Sequence, residues 1–211
     1  MRGTLEHLLL KKIYANSIDG ISSSLVVLTR QLGLFQEILE PIIISLIDKG
    51  SLEEEAEKCC NLTPLGRKQL TVVMTGGTFD LLHTGHVSTL QQSKLLGDVL
   101  VVVIATDKVV QNFKSHPPTN TQDERAQLVK NIRDVDAAFV GDETDFMKTV
   151  DLINPDIITL GFDQRHDEKK LFQELSSRGH KHVKIVRLKK HIPGKSTSRI
   201  VQDIIKHSYR E

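Results

Sequence analysis

The chain has 211 residues, 26% of them charged, a net charge of +1, and only 4% aromatic residues with no Trp. That is the balance of a soluble globular protein of one large domain, or a standard domain with a smaller one; it predicts neither a nucleic-acid nor a membrane partner and argues against a stacking platform for single strands. The longest apolar run, Val99 to Ala105, is far shorter than the ~20 residues of a membrane span. Glu6 and the short Leu8–Leu10 stretch do not make a secretory leader, and the adjacent Cys59 and Cys60 read as plain thiols, so the expected location is the cytoplasm.

In chain order, Thr4 to Ala15 reads as an amphipathic helix with Leu5, Leu8, Leu9 and Ile13 on one stripe. Ser22 to Gly33 reads as a second helix, opened by serines and stopped by glycine. A third is expected over Phe35 to Lys49, with Pro41 kinking or restarting it. Ser51 to Ala56 and Lys58 to Leu62 read as two short strands, and Thr63-Pro64 as the cap and first turn of a short closing helix. From residue 71 the pattern changes. Strand-like runs at Val72–Thr75, Val99–Ala105, Ala137–Val140, Ile157–Leu160 and Val183–Leu188 alternate with helical stretches at His86–Leu96, Thr121–Ile132, Phe146–Ile153 and Asp167–Arg178. A last helix is expected from Ser196 to Lys206. Apolar strands alternating with helices predict an α/β domain, a Rossmann-like parallel five-stranded sheet with helices on both faces. The expected division is 1–70 and 71–211, joined near Leu70-Thr71 without a flexible linker, so that the two parts pack together.

The most informative segment is TVVMTGGTFDLLHTGH, residues 71–86. A buried strand breaks at Gly76-Gly77, and His83 and His86 follow at a helix start. Glycines allow close backbone approach, and a helix start offers unpaired N–H groups and a positive dipole end. Two imidazoles three residues apart there can both reach one anion, as at the α-phosphate of a nucleoside triphosphate. A zinc site would need more ligands than these two and Asp80, so no zinc is expected at the histidine pair. Asp80 reads as a group orienting a neighbour or the acceptor rather than as a base. Gly194-Lys195-Ser196-Thr197-Ser198 opens the last helix; a Walker A reading fails because Lys189 stands where its first glycine is required.

Gly77-Thr78-Phe79-Asp80 followed by His83-Thr84-Gly85-His86 resembles the signature of the HxGH nucleotidyltransferases. These α/β enzymes move a nucleoside monophosphate from a triphosphate onto a phosphorylated acceptor. The resemblance implies that His83 and His86 donate to the transferring phosphate, and that Thr78, Phe79, Thr84 and Gly85 contact the nucleotide. It implies that Ser196, Thr197 and Ser198 hold the β- and γ-phosphates. Lys114 lies in an expected loop, Asn112 to Asn120, eleven residues before Arg125, a spacing similar to that of the cytidylyltransferases. On that likeness Lys114 acts on the transferring phosphate, and Arg125 makes acceptor or structural contacts. Asp107, at the carboxyl end of the second strand of the sheet, is assigned to the acceptor or a metal.

Leu160-Gly161-Phe162-Asp163-Gln164 and the later VxIVRL strand resemble the archaeal type of FAD synthase, with Asp163 near the adenine or ribose. The resemblance covers about residues 71–206 and implies ATP and FMN as substrates, FAD and pyrophosphate as products, and Mg²⁺ on the phosphates. One departure stands at His191, where the cytidylyltransferase pattern has arginine; His191 is taken as a phosphate contact. The competing expectations are a cytidylyltransferase acting on glycerol 3-phosphate or a similar alcohol, and a transcription regulator with a nucleotide-sensing domain. The first 70 residues resemble a winged helix-turn-helix domain. Its third helix carries Glu37, Glu40 and Ile42–Ile44 with no Arg, and its wing carries Glu53, Glu54, Glu55 and Glu57. Such a surface repels a phosphate backbone, which argues against DNA and for a partner domain or a homodimer.

Overall fold

The computed structural model describes residues 3–55, 59–114, 116–162, 164, 167–190, 192–194 and 196–208. The chain divides into two compact units, 1–71 and 72–211.

The first unit runs α1 (Leu5–Ile18), α2 (Leu25–Leu32), α3 (Gln36–Asp48), β1 (Leu52–Glu55), β2 (Cys59–Leu62) and α4 (Pro64–Arg67). The two strands pair antiparallel, Leu52 opposite Leu62, and Ser24 forms a bridge to Cys59. The buried stripe of α1 is Leu9, Leu10, Ile13 and Tyr14, whereas Leu5 and Leu8 are 42% and 41% exposed. The expected stripe was therefore turned by about one residue. Apolar side chains at 5, 8, 9, 10, 13, 14 and 15 nearly encircle this helix, so spacing alone does not fix its inner face. Pro41 lies inside a continuous α3. It removes one intrahelical hydrogen bond without ending the helix, because Leu39, Ile43 and Leu46 remain buried on one side.

The second unit runs β3 (Val72–Gly77), α5 (Thr84–Lys94), β4 (Val99–Ile104), α6 (Asp107–Lys114), α7 (Gln122–Lys130), β5 (Ala137–Val140), α8 (Phe146–Ile153), β6 (Ile157–Leu160), α9 (Glu168–Ser177), β7 (Lys184–Arg187) and α10 (Thr197–Ser208). The sheet has the order β5-β4-β3-β6-β7 with all pairs parallel. Every residue of β4 is buried, as an apolar strand covered on both faces must be. Val73, Leu90, Leu100, Val102, Ile104 and Val129 form one core cluster with Phe79. The chain winds outward from β3 through β4 to β5, then returns to the other side of β3 with β6. The reversal lies between β3 and β6, and the crevice beyond their carboxyl ends is where open α/β sheets bind ligands.

One element differs from expectation. The helix α6 occupies 107–114 and so takes in the first three residues of the loop expected over Asn112 to Asn120. The Thr106 hydroxyl accepts from the Val109 amide as a cap, and Val110 is buried. Pro117-Pro118 forbids helix only from about residue 116 onward. Lys114 therefore ends a helix. Among the described residues no helix is long and apolar enough to cross a membrane.

Candidate active site

The turn between β3 and α5 carries the chemistry. Phe79 has φ of 50°, left-handed backbone that a bulky residue rarely adopts. Its ring is buried in the core, 4% exposed, and lies so close to Gly77 that a Cβ there would meet ring carbons at 2.9 Å. Gly77 is thus required by the ring that folds back over it, and the burial of that ring compensates the strained backbone. Asp80, equally buried, accepts from the amides of Thr119 at 2.9 Å and Asn120 at 3.0 Å, and Asn120 Nδ2 returns a bond to the Asp80 carbonyl. Asp80 therefore holds the loop before α7 in place.

Among the described residues Arg125 is the largest fully buried side chain. Its Nε donates to the Asn120 carbonyl at 3.1 Å and Nη1 donates to the Thr78 carbonyl. Nη2 donates to the Ala105 carbonyl at 2.8 Å and to Asp107 Oδ1 at 2.7 Å. One guanidinium thus ties the segments that leave β3 and β4 to the loop before α7. The helix that carries it is itself fixed by a capping box, in which the Thr121 amide and hydroxyl hold the Glu124 carboxyl below the usual carboxylate range. Asp107, 41% exposed, has one oxygen on that arginine and opens α6 at the carboxyl end of β4.

The two histidines occupy the start of α5. His83 is the N-cap residue, and its Nδ1 accepts from the Gly85 amide at 3.1 Å. That bond assigns the neutral tautomer, leaving the proton on Nε2. The His86 ring stacks on it with centroids 3.9 Å apart and planes 21° from parallel, and packs at 5.2 Å against the Phe79 ring. The pair is thus backed by the core on one side and sits at the positive end of an eleven-residue helix. Two stacked imidazoles thus stand together at one helix start. Deeper in α5, the Ser93 hydroxyl bonds Thr159 Oγ1 of β6 at 2.8 Å, which locks the helix to the sheet below the crevice.

Across the reversal point, Gln164 joins the two central strands. Its Oε1 accepts from the Gly161 amide at 2.9 Å, and its Nε2 donates to the Gly76 carbonyl at 2.7 Å. Arg187 Nη1 donates to the carbonyls of Gly161 at 3.1 Å and Gln164 at 2.9 Å. Sequence reasoning assigned no role to Gln164 or Arg187. The signal lay in the LGFDQ and VRL segments, but their pairing needs the β3–β6–β7 neighbourhood to be known.

The serine-rich element stands at the start of α10. The Ser196 hydroxyl accepts from the Arg199 amide at 3.2 Å as a cap, and no residue of α10 is buried. The segment before it is tied to α5 by Gln92 Nε2, which donates to the Lys190 carbonyl at 2.9 Å. Thr84 is exposed on the first turn of α5, and Lys114 is exposed at the end of α6. Asp163, His191 and Lys195 lie outside the described residues. Among the described residues no group of three His, Cys, Asp or Glu side chains is placed to hold a metal ion.

The cytidylyltransferase-like family profile matches residues 74–203, which is most of the second unit. A FAD synthase of Aciduliprofundum boonei is 48% identical over 119 residues, covering 56% of this chain and 78% of the relative. A FAD synthase of Methanobrevibacter smithii is 43% identical over 144 residues, covering 65% of this chain and 93% of the relative. Among solved structures, a lipopolysaccharide core biosynthesis protein of Thermoplasma volcanium superimposes with a TM-score of 0.56 at 44% identity, over 58% of this chain and 99% of its own. With its matched span, parallel sheet and paired histidines at the start of α5, the chain belongs to the cytidylyltransferase-like family.

Proposed function

We propose that the protein is an FMN adenylyltransferase, moving AMP from ATP onto FMN to give FAD and pyrophosphate. The observation that carries this reading is the 41–48% identity of the catalytic unit to archaeal FAD synthases. Nothing in the similarities favours the glycerol 3-phosphate cytidylyltransferase or the nucleotide-sensing regulator.

In the reaction an FMN phosphate oxygen attacks the α-phosphorus in line. The new O–P bond forms as the bond from the α-phosphorus to the bridging oxygen breaks, and the electron pair leaves with pyrophosphate. The attacking oxygen is already ionised, so no general base is needed. The work is positioning and meeting charge as it develops. His83 and His86 supply N–H donors at the α-phosphate from a helix start held by core packing. Ser196, Thr197, Ser198 and His191 receive the outgoing phosphates. On this reading Lys114 is assigned to the transferring phosphate and Asp163 to the adenosine, with Thr78, Thr84 and Gly85 assigned to the nucleotide. Mg²⁺ enters with ATP as part of that substrate, carried on its phosphate oxygens.

The first unit is read as a winged-helix module. The outer face of α3 presents Glu37, Ile38, Glu40 and Ile44, which suits a protein surface, such as a second copy of the chain, better than DNA.

The test is direct. Purified protein incubated with ATP and FMN should form FAD and pyrophosphate in equal amounts, followed by chromatography with absorbance at the flavin band. Consumption of CTP and glycerol 3-phosphate with FMN left intact would overturn the assignment.

A further inference from the structure

The helix that carries the two histidines is anchored at two points of opposite chemistry. Of the described residues of α5 only Leu90 and Ser93 are buried, both of them fully. Leu90 packs in the apolar core, and such packing carries no direction. Ser93 instead meets Thr159 of β6, itself fully buried, and Thr159 pairs in register with Thr75 of β3.

The geometry fixes where the protons of this cluster lie. Ser93 Oγ donates to the Thr89 carbonyl at 3.0 Å. A serine hydroxyl has one proton, so in the 2.8 Å bond between Ser93 and Thr159 the donor is Thr159 Oγ1. The Met74 carbonyl lies 3.5 Å from Thr159 Oγ1 and is the poorer acceptor. Thr75 Oγ1 donates to the Thr159 carbonyl at 3.3 Å, and along the helix Thr89 Oγ1 donates to the Gly85 carbonyl at 3.1 Å. A line of hydroxyls therefore runs from the two central strands to the first turn of α5. Positions 85, 89 and 93 follow one another at helical spacing, and His86 lies two turns before Ser93 on the same side of the helix.

A buried hydroxyl pair adds little net stability, because two apolar groups of the same shape can replace it at nearly equal free energy. What it adds is direction. A hydrogen bond has a preferred length and angle, so a second fixed point beside Leu90 resists rolling and sliding of the helix on the sheet. A displacement of about 1 Å at reacting groups can cost about 10² in rate.

We propose that Ser93 and Thr159 form a positioning pair for the transfer step: their hydrogen bond sets the rotation and depth of α5, and through them the place of the His83 and His86 imidazoles. Neither hydroxyl touches substrate. The proposal rests on the FMN adenylyltransferase reading and adds a device, remote from the crevice, that holds the histidines in register.

The experiment compares the whole chain with the double variant Ser93→Ala/Thr159→Val, which removes both hydroxyls at nearly constant shape. The melting temperature should stay within a few degrees of wild type, while kcat falls about tenfold and the KM of ATP and of FMN change less than about threefold. Thr159→Ser keeps the hydroxyl and should hold kcat within about twofold of wild type. If the double variant does not fold, Ser93→Ala takes its place with the same expectation, since Thr159 can then turn its proton to Met74. A wild-type kcat in the folded variant would overturn the proposal, as would a loss of kcat that Thr159→Ser shares or that follows a matching loss of melting temperature. A second readout needs no turnover. The imidazole NMR signals of His83 and His86 should shift in the double variant, while those of His180 and His182, between α9 and β7, stay in place. Unmoved signals at His83 and His86 would also overturn the proposal. Wild-type protein that makes no FAD would sink the function assignment alone, and the imidazole signals would still decide the positioning.

Discussion

The two helix starts assigned to the triphosphate are built to different standards. At α5, His83 caps the helix, His86 packs on Phe79, Leu90 is fully buried, and Ser93 is bonded to β6. At α10, Ser196 caps the first turn, yet no residue of the helix is buried. The proposed assignment of the two starts gives a reason for the difference. Charge develops at the α-phosphate during transfer, and donors already in place there need no reorganisation. The leaving pyrophosphate must be gripped and then released, and a helix end held mainly by its own cap is adequate for that. The α5 start is therefore expected to govern kcat and the α10 start to govern binding.

Four substitutions would break or sharpen this contrast. The largest effect is expected at Arg125, which underpins the α5 side. Arg125→Leu leaves the carbonyls of Thr78, Ala105 and Asn120 without their buried donor and should cost about 3–5 kcal/mol, read as a lower urea midpoint at unchanged slope. A loss within experimental error would remove the bracing role. Next, His86→Ala should lower kcat by about 10²–10³ while the protein stays folded. Activity equal to wild type, or an unfolded variant, would contradict the role given to the imidazole.

Ser196→Ala should act differently. Loss of the cap costs on the order of 1 kcal/mol locally at α10, and the KM of ATP should rise about tenfold with kcat largely kept. A drop in kcat matching that of His86→Ala would show both ends to be equally organised for the chemical step.

The smallest effect lies outside the site, in the turn before α8. The amides of Asp145 and Thr144 and the Thr144 hydroxyl hold the Asp142 carboxyl well below the usual aspartate range. Because the folded value is depressed, this contribution is complete above the ordinary aspartate pKa and is lost as pH falls toward the folded value. Asp142→Asn should therefore flatten the fall in melting temperature below about pH 5. A wild-type acid slope in the variant would show that the carboxyl does not contribute.

Much of this was legible in the chain itself, for identifiable reasons. The strands of the sheet are buried apolar runs, so β3 through β7 fell within about two residues of expectation. The paired histidines were found at a helix start because glycine and imidazole spacing is local. Other features depended on contacts distant in sequence. Arg125 had the right spacing from Lys114, but its burial depends on carbonyls at 78, 105 and 120 converging in space. Gln164 gains its role only once β6 is known to lie beside β3. The helix α6 was hidden by the prolines that follow it, and the inner stripe of α1 by apolar residues on nearly every side.

The most direct test of the account is a crystal structure of the protein with an unreactive ATP analogue bound. The account predicts α-phosphate oxygens within about 2.7–3.1 Å of imidazole N–H groups of His83 and His86, with the outer phosphates at Ser196, Thr197 and Ser198. An analogue bound away from the start of α5, or a triphosphate that meets one helix start and not the other, would contradict it.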